Sequence, residues 1–196
     1  MLSLQKPSVQ TIRKFVDFQR HSDFSYTSVG ATATNPPASF VVDHTRVKLG
    51  SGEEAFLSAK TALKQWGQFQ LGWVEACPSG TPIQTGEVVA VAAQVMGLWW
   101  LNAARIIYVV DEDGPIRRFG FAYGTLADHV ESGEERFLIE WDKTDDSVWY
   151  DILAFSRPRH LLARLGYPFV RLTQKRFARS SAAVMQQLVE RRVATP

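Results

Sequence analysis

Seven residues, HVESGEE (129–135), bring together one imidazole and three carboxylates: His129, Glu131, Glu134 and Glu135. Two or three of these converging would offer ligands to a metal, or a general acid and a general base. The spacing matches no metal-binding pattern, and one His among carboxylates at a hairpin is usually a solvated turn, so no metal is expected. Glu135 stands apart because alternation puts it on one strand face with Phe137, Ile139 and Trp141. On an inward face it would be a buried carboxylate with a raised pKa, a pointer to a functional site. At an edge it would pair with an arginine. Tyr123 and Tyr150 also sit on apolar strand faces, where a hydroxyl either orients a ligand in an apolar pocket or is satisfied as part of the core.

Trp99 and Trp100 are adjacent, so in a strand they point to opposite faces and at most one, here Trp100, lines a cavity. Asp151 faces away from Tyr150 and is expected to pair with Arg136 or Arg118 across the strands. Gly50-Ser51-Gly52 lacks the lysine of a phosphate loop and reads as a strand-to-helix turn. Cys77 is the lone cysteine, which excludes an intramolecular disulfide and fits a reducing compartment; no basic residue adjoins it to activate the thiol. Arg164, Arg171, Lys175 and Arg179 form a basic stripe suited to lipid phosphate, or to salt bridges with an acidic remainder. With no recognition motif beside it, nucleic acid is not expected as a partner.

The elements that position these groups are legible from periodicity. Period-two alternation over 117–125, 134–142 and 148–156 predicts three strands, and the short polar stretches 128–133 and 143–147 predict the hairpins joining them. Further strands are predicted at 40–49, 69–76, 86–95 and 103–110. A first helix is predicted at 7–19 with Ser8 as N-cap, a second at 53–66 with Phe56, Ala59, Leu63 and Trp66 on one stripe, a short one at 158–165, and a long one from 168 to about 192. The long helix is expected to turn Leu172, Phe177, Val184 and Leu188 toward the core.

The 196 residues suffice for one domain with a sizeable core, and a 45% apolar, 21% charged composition is that of a soluble globular chain. Six Trp within 12% aromatics predict an interior or cavity lined with rings. The net charge of +2 conceals an asymmetry: residues 157–192 hold nine Lys or Arg against Glu190 alone. No secretory or transmembrane stretch is visible, so the cytoplasm is the expected location.

The order helix, strand, helix, six strands, long helix resembles the helix-grip fold of START-like lipid-binding domains and the birch-pollen-allergen superfamily. In that α+β fold a curved antiparallel sheet of about seven strands wraps around a long C-terminal helix, commonly enclosing an apolar cavity. The strings YTSVGAT (26–32), RVKLGSGEEAF (46–56), MGLWWLN (96–102), IIYVVDE (106–112), RRFGFAYGTLADHVESGEERFLIEW (117–141), SVWYDILAFSRP (147–158) and LARLGYPFVRLTQKRFARSS (162–181) resemble the domain of unknown function 1990 family. That resemblance runs from Tyr26 to Ser181 and brings no activity or catalytic residue set with it. The expected organisation is a helical extension over 1–25 and one domain over 26–196. The expected function is binding of a small, largely apolar ligand between sheet and C-terminal helix, contacted by Trp100, Tyr123, His129, Glu135, Trp141 and Tyr150, with no cofactor. The alternatives are a hydrolase, cyclase or lyase using Glu135 or His129 with Tyr123, and a protein- or anionic-membrane-interaction domain using the basic helix.

Overall fold

A computed structural model of the chain describes residues 1–159 and 166–193. In chain order its elements are β1 (Leu2–Ser3), α1 (Val9–Gln19), β2 (Val41–Ser51), α2 (Gly52–Lys64), β3 (Val74–Cys77), β4 (Val88–Val95), β5 (Leu98–Glu112), β6 (Ile116–Thr125), β7 (Glu131–Asp142), β8 (Ser147–Pro158) and α3 (Tyr167–Val193). Most of the short helix expected over 158–165, with Arg164, lies outside the described residues; Pro158 itself ends β8.

The sheet runs β2-β8-β7-β6-β5-β4-β3, every pair antiparallel, with β1 added along the start of β5. Consecutive strands from β3 to β8 are neighbours, as short hairpins require. Only β2 crosses the molecule, to pair with β8; α2 accomplishes the crossing and α3 packs against α2 and β2. This is the α+β helix-grip arrangement, with seven strands on the main path.

Two boundaries differ from expectation by five residues, and β7 begins at Glu131, inside the stretch 128–133 expected as a hairpin. Residues 67–69 form a 3-10 turn where a strand was expected from 69, because Gly72 takes φ +77° and breaks the extended run; the strand begins at Val74. β5 starts five residues before the expected position. Met96 and Gly97 both take positive φ, 54° and 76°, and make a two-residue hairpin between Val95 and Leu98. Such a turn matches the twist of the flanking strands. Met96 lacks the Asn or Asp that usually announces it.

Strand alternation divides the core in two. On one face Leu49, Val89, Ile106, Phe121, Phe137 and Tyr150 join Phe56, Leu63 and Trp66 of α2 and its C-terminal turn, and Met185 and Val189 of α3. On the other, Ile12 and Val16 of α1 pack on Val88, Ala90, Leu101 and Ala103. α1 therefore covers part of the outer face of the sheet. Ser8 caps α1, its Oγ accepting from the Thr11 amide at 3.1 Å, whereas Ser51 makes no side-chain cap and the first amide of α2 donates instead to the Asp146 carbonyl. In α3 the fully buried positions are Ser181, Met185 and Val189, while Leu172, expected inside, is 61% exposed. Among the described residues no helix is long and apolar enough to cross a membrane.

Candidate functional site

α2 covers the inner face at the Trp141–Val148 end of the sheet. The Phe56 and Trp141 rings lie 6.1 Å apart, and the Trp141 indole donates to Asp146 Oδ1 at 2.9 Å. The first half of α3 stands off the other end, leaving a cavity of about 1310 Å³. Phe69, Trp73, Trp100, Ile152 and Phe177 supply apolar wall, and Tyr123, His129, Glu131 and Glu135 supply polar groups. Of the six residues expected at a ligand, Trp100, Tyr123, His129 and Glu135 border this space; Trp141 and Tyr150 are absent from its lining. Both are displaced by helix packing. Trp141 lies under α2, and Tyr150 lies fully buried under α3 with its hydroxyl 2.9 Å from Ser181 Oγ.

Strand geometry brings the polar groups of the cavity together. Tyr123 of β6 is directly opposite Glu135 of β7, which is opposite Ala154 of β8. Directly opposed side chains on one face are close enough to bond, and the Tyr123 hydroxyl donates to Glu135 Oε2 at 2.7 Å. The alanine leaves room above the carboxylate. Four positions earlier on the same face, Glu131 Oε1 accepts from the Gln174 amide of α3 at 2.5 Å.

Burial dominates the electrostatics. It pushes the Glu135 carboxyl up to about 7, with the Tyr123 hydrogen bond opposing and Asp43 adding to the rise. Burial likewise pushes Glu131 up to about 7; the neighbouring Glu135 and Asp43 add to this, while Arg171 and Gln174 oppose it. Burial lowers His129 to about 4, so at neutral pH its ring is uncharged. Its Nδ1 accepts from the Glu131 amide at 3.0 Å, which leaves the proton on Nε2 and removes the lone pair that a general base at Nδ1 would use. The Tyr123 phenol is pushed well above its usual range, first by burial and then by Glu135, and stays a donor.

The HVESGEE cluster is thus divided. Glu134 turns to the outer face, where its Oε2 accepts from the Tyr26 hydroxyl and the Gly30 amide, each at 2.8 Å. Its Oε1 accepts from the Thr32 amide at 2.9 Å and from the Thr32 hydroxyl. Among the described residues no group of three or more His, Cys, Asp or Glu side chains converges as metal ligands would. Asp151 is also on the outer face. It bonds Arg136 at 2.9 Å and His44 at 2.6 Å, while Arg118 pairs with Glu140 instead.

Of the basic stripe, Arg171 is engaged. Its two terminal nitrogens each donate to Asp43 at 2.5 Å, tying α3 to β2. Lys175 and Arg179 are exposed at the cavity mouth. Cys77 is free, and burial followed by Glu75 pushes its thiol up to about 12, so it remains protonated. Reading residues in sequence order missed Trp73 and Gln174 at the site. Trp73 follows a glycine inside an apparent strand, and Gln174 carries no local signal at all.

Comparison with known proteins agrees with this architecture. A START superfamily protein from Mycobacterium smegmatis superposes with a TM-score of 0.51 at 11% identity, over 76% of this chain and 97% of that one. A UPF0548 protein from Dictyostelium discoideum is 40% identical over 96% of both chains, and one from Arabidopsis thaliana is 40% identical over 76% of this chain and 74% of its own. Residues 25–184 match the family described as Domain of unknown function (DUF1990), and with most of its length so matched the chain belongs to that family.

Proposed function

We propose that this protein binds a small, largely apolar ligand in the cavity between the sheet and α3. Trp100 and its apolar neighbours bury the body of the ligand, and Tyr123, His129 and Glu135 face its polar end. The observation that carries this reading is the cavity itself. Its volume of about 1310 Å³ exceeds the roughly 300–1,000 Å³ of ordinary small-molecule pockets, and aromatic walls with a few convergent polar groups are what such pockets use. Burial of apolar ligand surface supplies the affinity, at about 25 cal/mol per Å² before the costs of association. The lone, buried, unactivated Cys77 fits a reducing compartment, the cytoplasm in this reading.

The test is gentle purification from the native host, native mass spectrometry, then denaturation and identification of what is released. A defined apolar species at near-stoichiometric occupancy supports a carrier or sensor. If the native protein comes out empty and a bulky Ala154→Trp variant binds a neutral fluorescent probe as well as the wild type, the cavity reading is wrong.

One observation favours a second reading, acid–base catalysis in the same cavity. Glu135 is raised to about 7 and bonded at 2.7 Å to a tyrosine that remains a donor. A general base works best with a pKa near the working pH. In that reading Glu135→Gln abolishes turnover of the released compound while its binding persists; unchanged turnover would exclude Glu135 as the base.

A further inference from the structure

At the polar end of the cavity the two glutamates keep acceptor atoms free. The Tyr123 hydroxyl and the Gln174 amide, the donors nearest the two glutamates, are spent on Glu135 Oε2 and Glu131 Oε1. Glu135 Oε1 and Glu131 Oε2 have no hydrogen-bond partner among the described residues. Both side chains keep some surface, and that surface borders the cavity.

Positive charge near this end is paired with other groups or held in solvent at the cavity mouth. Arg171 of α3, whose charge partly offsets the rise at Glu131, donates twice to Asp43 of β2 and once to Gln174 Oε1. The N-terminal ammonium donates to the Leu101 carbonyl at 2.8 Å. Lys175 and Arg179 are exposed at the mouth, and Arg176 lies 4.3 Å over the Trp73 ring. Of the other titratable groups on the lining or beside it, Tyr123, Tyr150 and His129 are neutral at pH 7, His44 is bonded to Asp151, and Asp128 and Glu134 are acids bonded to Gln19 and to Tyr26, Gly30 and Thr32. Two buried carboxyls therefore share an apolar chamber without a counter-ion of their own, a costly state unless they hold protons or meet a cation.

Resting on the cavity-binding reading, we propose that the ligand carries an amine, bound as the ammonium between Glu131 and Glu135 with its apolar body along Trp73, Trp100 and Phe177. An ammonium has donors only and a full positive charge, so it satisfies both free oxygens and lets both carboxyls ionise. A fatty carboxylate adds like charge beside the glutamates and is held only while they keep their protons. An alcohol has one proton to donate and no charge. Binding of the amine at neutral pH is accompanied by proton release from the glutamates, because a nearby cation favours their ionised form.

The test uses three probes with one tail, decylamine, decan-1-ol and decanoate, each below its micelle concentration. Competition against the neutral dye N-phenyl-1-naphthylamine and titration calorimetry are run on the full chain at pH 7 and 8. The expected result is roughly tenfold or greater preference for decylamine over decan-1-ol, with decanoate weakest. Calorimetry in buffers of different ionisation enthalpy shows proton release at pH 7 for decylamine and none for decan-1-ol. In a Glu131→Gln, Glu135→Gln double variant, shown by thermal melting to be folded, the amine-to-alcohol ratio falls toward one. Equal binding of all three probes, or an amine preference that survives in the double variant, overturns the amine assignment and leaves the cavity reading standing. If none of the three binds or displaces the dye, the cavity reading falls, and the amine assignment with it.

Discussion

Glu134 and Glu135 are chain neighbours with opposite surroundings. Glu134 is 3% exposed on the outer face and accepts four hydrogen bonds from Tyr26, Gly30 and Thr32. Thr32 in turn bonds the Tyr108 hydroxyl at 2.7 Å and, through its carbonyl, Arg136 at 3.0 Å. The carboxylate fastens the segment before β2 to the sheet. Even Gly124 is part of the arrangement, since a Cβ there would fall 2.2 Å from the Tyr26 hydroxyl oxygen, so the ring can cross β6 only over a glycine. Glu135, the next residue, has a single hydrogen-bond partner among the described residues and an open cavity before it. The same residue type is a structural fastener where the fold supplies every donor, and a reactive or binding group where the fold withholds them.

The comparison is broken most severely by Glu134→Ala. It leaves the buried Thr32 amide and Tyr26 phenol and the half-buried Gly30 amide without this partner, and we expect a loss of about 3 kcal/mol or more by urea unfolding, against about 1 kcal/mol or less for Glu135→Gln. If the two variants are equally stable, Glu134 is no fastener.

The next effect is pH dependence in the ligand-free protein. Glu131 and Glu135, raised from 4.5 to about 7, hold protons in the folded state that the unfolded chain has released. Their contribution is complete below pH 4.5 and is lost as pH rises through 7. His129, lowered from 6.5 to about 4, acts oppositely, its contribution vanishing as pH falls from 6.5 to 4. Asp151, where burial is outweighed by bonds from His44 and Arg136 that hold it low, also loses stability only in acid. Between pH 6.5 and 8 the cavity glutamates act against the N-terminal ammonium alone, whose pKa burial holds below 8.0 so that its contribution grows with pH. Melting temperature should fall there by the equivalent of about 1–2 kcal/mol or somewhat less, and the double Gln variant should not fall. A wild-type profile that rises across this window contradicts the burial of these carboxyls.

Smaller effects sharpen the contrast. Tyr26→Phe removes one of the four donors to Glu134 and is expected to cost about 1 kcal/mol in chemical denaturation. Tyr123→Phe removes the only donor to Glu135 among the described residues. Since that bond opposes the rise, the Glu135 carboxyl should titrate still higher by carbon-detected NMR, with stability changed by under about 1 kcal/mol. A downward movement would show that the phenol does not stabilise the carboxylate.

Much of this was legible residue by residue. Alternation placed Phe119, Phe121 and Tyr123 together, and Glu135, Phe137, Ile139 and Trp141 together, because successive Cβ atoms in a strand point to opposite faces whatever the surroundings. The same rule parted Glu134 from Glu135 and Trp99 from Trp100. Ser8 marked the start of α1, and Phe56, Ala59, Leu63 and Trp66 marked the buried stripe of α2, since capping and helical period are also local. The two-residue turn at Met96-Gly97 and the late start of β3 escaped because their residues do not advertise their backbone angles.

Sequence alone therefore determined which side chains share a face and in what order the elements come. Tertiary structure decided which face encloses a space, and which part of that face α2 and α3 fill, so that Tyr123 and Glu135 border the cavity while Tyr150 and Trp141 are packed away. It also decided the partners. Glu134 meets residues more than 100 positions earlier, and Arg171 meets Asp43 across 128. Backbone geometry is dictated within a few residues, whereas enclosure and charge pairing depend on surfaces brought together only when the sheet curls and the helices dock against it.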